Sequence, residues 1–126
     1  MPNHIHLVWK IANDRKKEDV QRDFLKYTAQ KMKLKLKDED PDKLKPYYVG
    51  AKDREYQLWE RKPLTSRLPT EEIIVQKINY IHANPIKGKW NLCQEFIDYK
   101  YSSASFYYDL SNEWDFLTHY ASALFE

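Results

Sequence analysis

The chain has 126 residues, a formal net charge of +2, 32% charged and 15% aromatic residues, and only two glycines. That length supports one domain with a single core and excludes two, and the aromatic content excludes a disordered chain. The small net charge does not by itself announce a nucleic-acid partner, and no apolar run approaches the roughly 20 residues a membrane span needs, nor does a signal-peptide pattern open the chain.

Ile5 to Ile11 (IHLVWKI) is β-branched and aromatic and reads as a strand, ended by Asn13-Asp14. On a strand, side chains alternate faces, so His4, His6, Val8 and Lys10 would share one side and Ile5, Leu7 and Trp9 the other. From Glu18 to about Lys37, Leu25, Ala29, Met32 and Leu36 recur at helical spacing with Phe24 alongside, predicting a helix. Lys26, Lys31, Lys33, Lys35 and Lys37 cluster on it and are followed by Asp38, Glu39 and Asp40. These lysines are either a basic face for a phosphate backbone or an ordinary solvated helix face.

Asp38 to Pro46 carries two prolines and reads as a loop. Tyr47 to Val49 and Tyr56 to Trp59 read as short strands, and Pro63 to Pro69 as a connector. Thr70 is a good N-cap, and Glu71 and Glu72 put negative charge where a helix dipole favours it. Ile74, Ile78 and Ile81 form the buried stripe of this second helix, with Ile73, Lys77, Tyr80 and Asn84 on a neighbouring stripe. Pro85 disfavours helical geometry at Asn84 and stops the helix near there. Trp90 to Glu126 has no usable period. Cys93 is the only cysteine, which excludes an intramolecular disulfide and a thiolate zinc cluster and fits a reducing, cytoplasmic location.

Strand, helix, two strands, helix is most of a split βαβ plan: an α+β, ferredoxin-like (RRM-like) antiparallel sheet with helices packed on one face. Two features of this plan carry chemistry. His4-Ile5-His6 sets two imidazoles on one side of an extended segment, and Tyr80 and Asn84, four residues apart, share a helix face. Each has a plain alternative: His-x-His as solvated surface imidazoles, Tyr80 as one more amphipathic rim residue. His82 points well round the helix from Tyr80 and reads as structural or as a peripheral phosphate contact. His119 has no context in the sequence.

The strings MPNHIHLV, YQLWERKPL, KINYIHANPIKGKW and DYKYSSASFY, in this order and spanning Met1 to about Tyr108, resemble the REP-associated tyrosine transposases of the single-tyrosine HUH group. The resemblance implies that His4 and His6 are metal ligands and that Asn84 completes the metal shell. It also implies that Tyr80 is the nucleophile that becomes joined to DNA. Members usually carry a strand and a helix ahead of the segment matching MPNHIH. This sequence starts on that segment, so the expectation is a single HUH-like domain, shortened at its amino terminus, with an unpaired sheet edge and weak activity.

A phenol keeps its proton to about pH 10, so a divalent metal, Mg²⁺ or Mn²⁺, is expected to polarise the scissile phosphate for attack. The implied reaction is cleavage and rejoining of single-stranded, hairpin-containing DNA through a 5′-phosphotyrosine, by a monomer or homodimer. Trp9, Trp59 and Tyr56 are candidates for stacking on bases, although Trp59 fits core packing better. Two other functions compete: a non-catalytic DNA-binding domain derived from such a transposase, and a metal-dependent hydrolase that uses water and dispenses with Tyr80.

Overall fold

A computed structural model of the chain describes residues 1–108 and 114–125. It is mixed helix and strand with a small two-stranded antiparallel sheet, and it divides into two compact units. One unit is Ile11–Thr65; the other combines Met1–Lys10 with Ser66–Glu126.

In the Ile11–Thr65 unit, α1 runs Lys17–Glu39, close to the expected span. Val20, Phe24, Leu25, Thr28, Ala29, Met32 and Leu36 form its half-buried stripe, and the rest of the surface is mostly polar, with Tyr27 and Leu34 exposed on it. The helix ends at Asp40, whose N–H reaches the Leu36 carbonyl. The Asp40 carboxylate then accepts from the Asp42 N–H at 3.1 Å. With Pro41 behind it, this cap starts a 3₁₀ turn over Pro41–Tyr47 where the two prolines suggested a loop. Proline is tolerated in a first helical turn because its missing N–H would be unbonded there. Leu44 is the buried residue of this turn.

The hairpin follows as β1 (Tyr48–Ala51) and β2 (Arg54–Tyr56), with Tyr48 opposite Tyr56 and Ala51 opposite Arg54. The two tyrosine rings meet edge to face at 5.7 Å, a cross-strand pair that fixes the register. Gly50 holds a φ of +55°, which favours glycine, and a Cβ there would also press on the exposed Tyr48 ring, 3.0 Å from its hydroxyl. The second strand begins before the expected Tyr56–Trp59 stretch. Trp59 has left the ladder, its indole N–H donating to the Thr28 hydroxyl on α1 at 2.9 Å.

In the other unit, α2 spans Glu71–Ala83. Thr70 caps it, its hydroxyl accepting the Ile73 N–H at 3.4 Å. Ile78 and His82, one turn apart, are its buried residues. His82 meets Ser103 across a 2.9 Å hydrogen bond and sets its ring edge-on to Tyr107 at 5.4 Å. Ser103 immediately precedes α3 (Ala104–Tyr107), whose Ala104 is fully buried. Tyr107 in turn stacks parallel to Tyr120 and accepts the Tyr120 N–H at 3.2 Å, at the start of α4 (Tyr120–Phe125). His119 lies 4.7 Å from the Tyr107 ring and accepts the Ala121 N–H, so its context is an aromatic cluster that the sequence did not disclose.

The segment Ile5–Ile11 is not a strand. Among the described residues the sheet consists of β1 and β2, which pair with each other. A strand is defined by a ladder, and the β-propensity of IHLVWKI cannot supply a partner edge. Its apolar side chains accordingly stand out: Ile5 is 49% and Trp9 40% exposed. No helix among the described residues is long and apolar enough to cross a membrane.

Candidate active site

Three rings from two distant stretches of sequence converge in the unit built from Met1–Lys10 and Ser66–Glu126. The His4 and His6 rings lie 4.9 Å apart, centroid to centroid, edge to face. The His6 ring meets Tyr80 edge-on at 6.1 Å. The period-two spacing that places both imidazoles on one side survives without a sheet, since it depends on an extended backbone and not on the ladder. Lys10, further along the same segment, ties it to α4 by donating to the Ala123 carbonyl at 2.7 Å.

The first imidazole is oriented by its neighbour. His4 Nδ1 lies 2.7 Å from the Asn3 side-chain oxygen. That oxygen only accepts, so Nδ1 carries the proton, and in the neutral ring Nε2 is the nitrogen that holds the lone pair. This is the arrangement in which a second partner fixes the tautomer of a metal-ligating histidine. His6 is pushed below the ordinary imidazole range, chiefly by partial desolvation and then by repulsion from His4 whenever that ring is protonated. It is therefore neutral, and able to ligate, at neutral pH.

Tyr80 stands on the exposed side of α2, 55% accessible, with the Lys77 ammonium over its ring at 5.9 Å. Asn84 follows one turn later, half-buried at the helix C-cap. Pro85 behind it is buried. The chain then reverses through Gly88 (φ +62°) and Asn91 (φ +38°), and the Leu92 N–H returns to the Pro85 carbonyl at 2.7 Å. This turn delivers Trp90 to His4 at 6.1 Å, with the Lys89 ammonium 4.9 Å above the indole.

The structure thus brings together His4, His6 and Tyr80 and adds Trp90, Lys77 and Lys89, which sequence reasoning gave no role. Lys77 was visible as the residue one turn before Tyr80 on the same stripe. Trp90 was not, because two residues in the left-handed region carry it back to the site. His82 is turned away into the aromatic cluster and takes no part.

The structure brings the His4 and His6 rings together and sets Asn84 at the C-cap of α2. Imidazole nitrogens and an amide oxygen are donor types a divalent cation takes, and no group of three or more His, Cys, Asp or Glu side chains gathers among the described residues.

No family model matches the chain, and no curated protein or solved structure matches it either.

Proposed function

We propose that this protein is a single-tyrosine DNA strand transferase that cleaves and rejoins single-stranded, hairpin-containing DNA through a 5′-phosphotyrosine. The observation that carries the reading is the meeting of His4, His6 and Tyr80, with ring centroids 4.9 and 6.1 Å apart. The four ordered motifs that resemble REP-associated transposases support it from the sequence side.

In this reading the Tyr80 hydroxyl attacks the scissile phosphorus in line. The new bond is Tyr80 Oη to phosphorus and the broken bond is phosphorus to the 3′-oxygen. The phenol proton is released and the 3′-oxygen takes one up, so the step balances. Rejoining is the same exchange in reverse with another 3′-hydroxyl, and the covalent link conserves the phosphodiester energy. A divalent ion, Mg²⁺ or Mn²⁺, held by His4, His6 and Asn84 would polarise the phosphate and offset its developing charge. Asn3 holds His4 in the ligating tautomer, and Lys77 and Lys89 put positive charge where the DNA backbone must pass.

A ferredoxin-like plan goes with this activity. The sheet of the described residues has two strands and Ile5–Ile11 is not one of them, so support for the larger plan is the helix pattern of the sequence and the motif resemblance. A reducing, cytoplasmic setting fits the single cysteine.

The test is covalent capture. With Mn²⁺ and a single-stranded hairpin oligonucleotide, the protein should form a denaturation-resistant adduct whose cross-linked peptide contains Tyr80. Tyr80→Phe should abolish the adduct and leave binding nearly unchanged, because the ring and its contacts remain. Cleavage that persists in Tyr80→Phe with a free 5′-phosphate would make water the nucleophile and the protein a hydrolase. Hairpin binding with no adduct under any metal would make it a non-catalytic DNA-binding domain.

A further inference from the structure

Charge is divided unevenly along α1. Towards its start the cations are neutralised locally: Arg22 pairs with Asp19 at 2.7 Å and with Asp23 at 3.0 Å, and Arg15 reaches Asp23 at 3.9 Å. Towards its end, residues 26–39 carry five lysines against Asp38 and Glu39. Lys35 meets Glu39 at 3.7 Å, and the Lys31 ammonium lies over the Tyr27 ring at 5.5 Å. Lys26, Lys33 and Lys37 have no ion pair among the described residues.

Spacing puts these three lysines on one side of the helix. At 3.6 residues per turn, positions i, i+7 and i+11 return to within about 40° of one another, so they form a row about 16 Å long. Lys26 and Lys37 are exposed and Lys33 is half-buried. Lys33 and Lys37 are also four residues apart, a like-charge spacing that costs a helix stability. A polyanion laid along the row offsets that repulsion.

The make-up of the face selects among polyanions. A single strand is held by charge together with aromatic rings on which successive bases stack. This row has one exposed aromatic beside it, Tyr27, whose ring Lys31 already meets. A membrane surface is held by charge together with a broad apolar face. The apolar stripe of α1 is half-buried in its own unit, which leaves Tyr27 and Leu34 outward. Duplex DNA is held by charge alone, since it carries one phosphate per about 1.7 Å of axis and releases more counterion per lysine than a single strand does. We infer that the row of Lys26, Lys33 and Lys37 docks the phosphate backbone of the duplex stem of a DNA hairpin. The inference rests on the reading that the substrate is hairpin-containing DNA, and it assigns the stem to α1.

The experiment uses the full chain without metal, so that binding is separated from cleavage. Anisotropy of a fluorescein-labelled DNA hairpin, titrated at several salt concentrations, gives the slope of log affinity against log salt. Each lysine lost from a duplex contact should flatten that slope by about 0.9, so changing Lys26, Lys33 and Lys37 together to Gln should flatten it by about 2.7. Arginine at the same three positions keeps the charge and should keep the slope. Lys43→Gln with Lys45→Gln removes two lysines of the same unit that already pair with Asp40 and Asp42, and should leave the slope unchanged. Glutamine matches lysine in helix propensity, so helical circular dichroism should hold throughout. An unchanged slope in the triple glutamine variant, or equal flattening by the Lys43 and Lys45 changes, would overturn the inference. Equal flattening with oligo-dT would make a single strand the occupant. Loss of binding to phosphatidylserine vesicles with hairpin affinity kept would make it a membrane, and either result would overturn the stem. Adduct at Tyr80 with an unchanged slope would sink the lysine row alone. A flattened slope with no wild-type adduct under any metal would sink strand transfer alone.

Discussion

Two histidines carry opposite assignments for the same physical reason. Burial disfavours the charged imidazole, so both His6 and His82 titrate below the ordinary value of about 6.5. At His6 the consequence is a ligand that stays neutral. The His6 ring should stay unprotonated as pH falls to the ordinary imidazole value and take up its proton only below it, read from its ring-carbon NMR shifts across an acid titration. At His82 the consequence is stability. Below about pH 6.5 the unfolded chain binds protons that the folded chain refuses, so the melting temperature should fall as pH drops through that value and level off below the folded-state values. His82→Gln should flatten part of this slope. Ser103→Ala, which strips the 2.9 Å partner from the buried ring, should cost about 1–3 kcal/mol in urea unfolding.

At the scale of the element, α2 matters most, because it carries Tyr80 on its exposed side and Ile78 and His82 on its buried one. Its start is set by Thr70, whose hydroxyl accepts from Ile73 and also helps hold the Glu72 carboxyl below the usual carboxylate range. Thr70→Ala should lower stability by about 1 kcal/mol, and Thr70→Ser should retain most of it, as measured by thermal melts followed at the helix signal. The exposed ion pairs of α1, such as Lys35 with Glu39 at 3.7 Å, contribute little by comparison. Their lysines read better as a charged face than as a source of stability.

At the scale of the whole molecule, the hydrophobic residues buried among the described ones are few: Leu44, Ile78 and Ala104. A domain's net stability is roughly 5–15 kcal/mol, and removing a buried isoleucine side chain costs about 2–5. Ile78→Ala should therefore bring the unit that holds the site close to unfolding, seen as a large fall in urea midpoint together with loss of adduct. Ile78→Val should cost about 0.5–1.5 kcal/mol and keep both. Tyr80→Phe, by contrast, should lose adduct with no change in midpoint, which separates chemistry from fold.

What the sequence determined alone were the features encoded within one turn or one alternation. The extents of α1 and α2, the Thr70 cap and the shared side of His4 and His6 follow from local periodicity and sterics, and each is present in the structure. Pro85, expected to push Asn84 out of helical geometry, instead follows an Asn84 in the αR region and lies in a 3₁₀ turn over Asn84–Ile86. What only tertiary structure decided were the features that need a distant partner. IHLVWKI has the composition of a strand but no neighbouring edge, so it remains unpaired. Trp59 leaves the hairpin for Thr28, thirty-one residues away. Trp90 reaches His4 because Gly88 and Asn91 reverse the chain. Local propensity acts over a few residues, whereas a ladder, an anchored indole or a ring pair forms only where the folded chain brings two remote segments within a few ångströms.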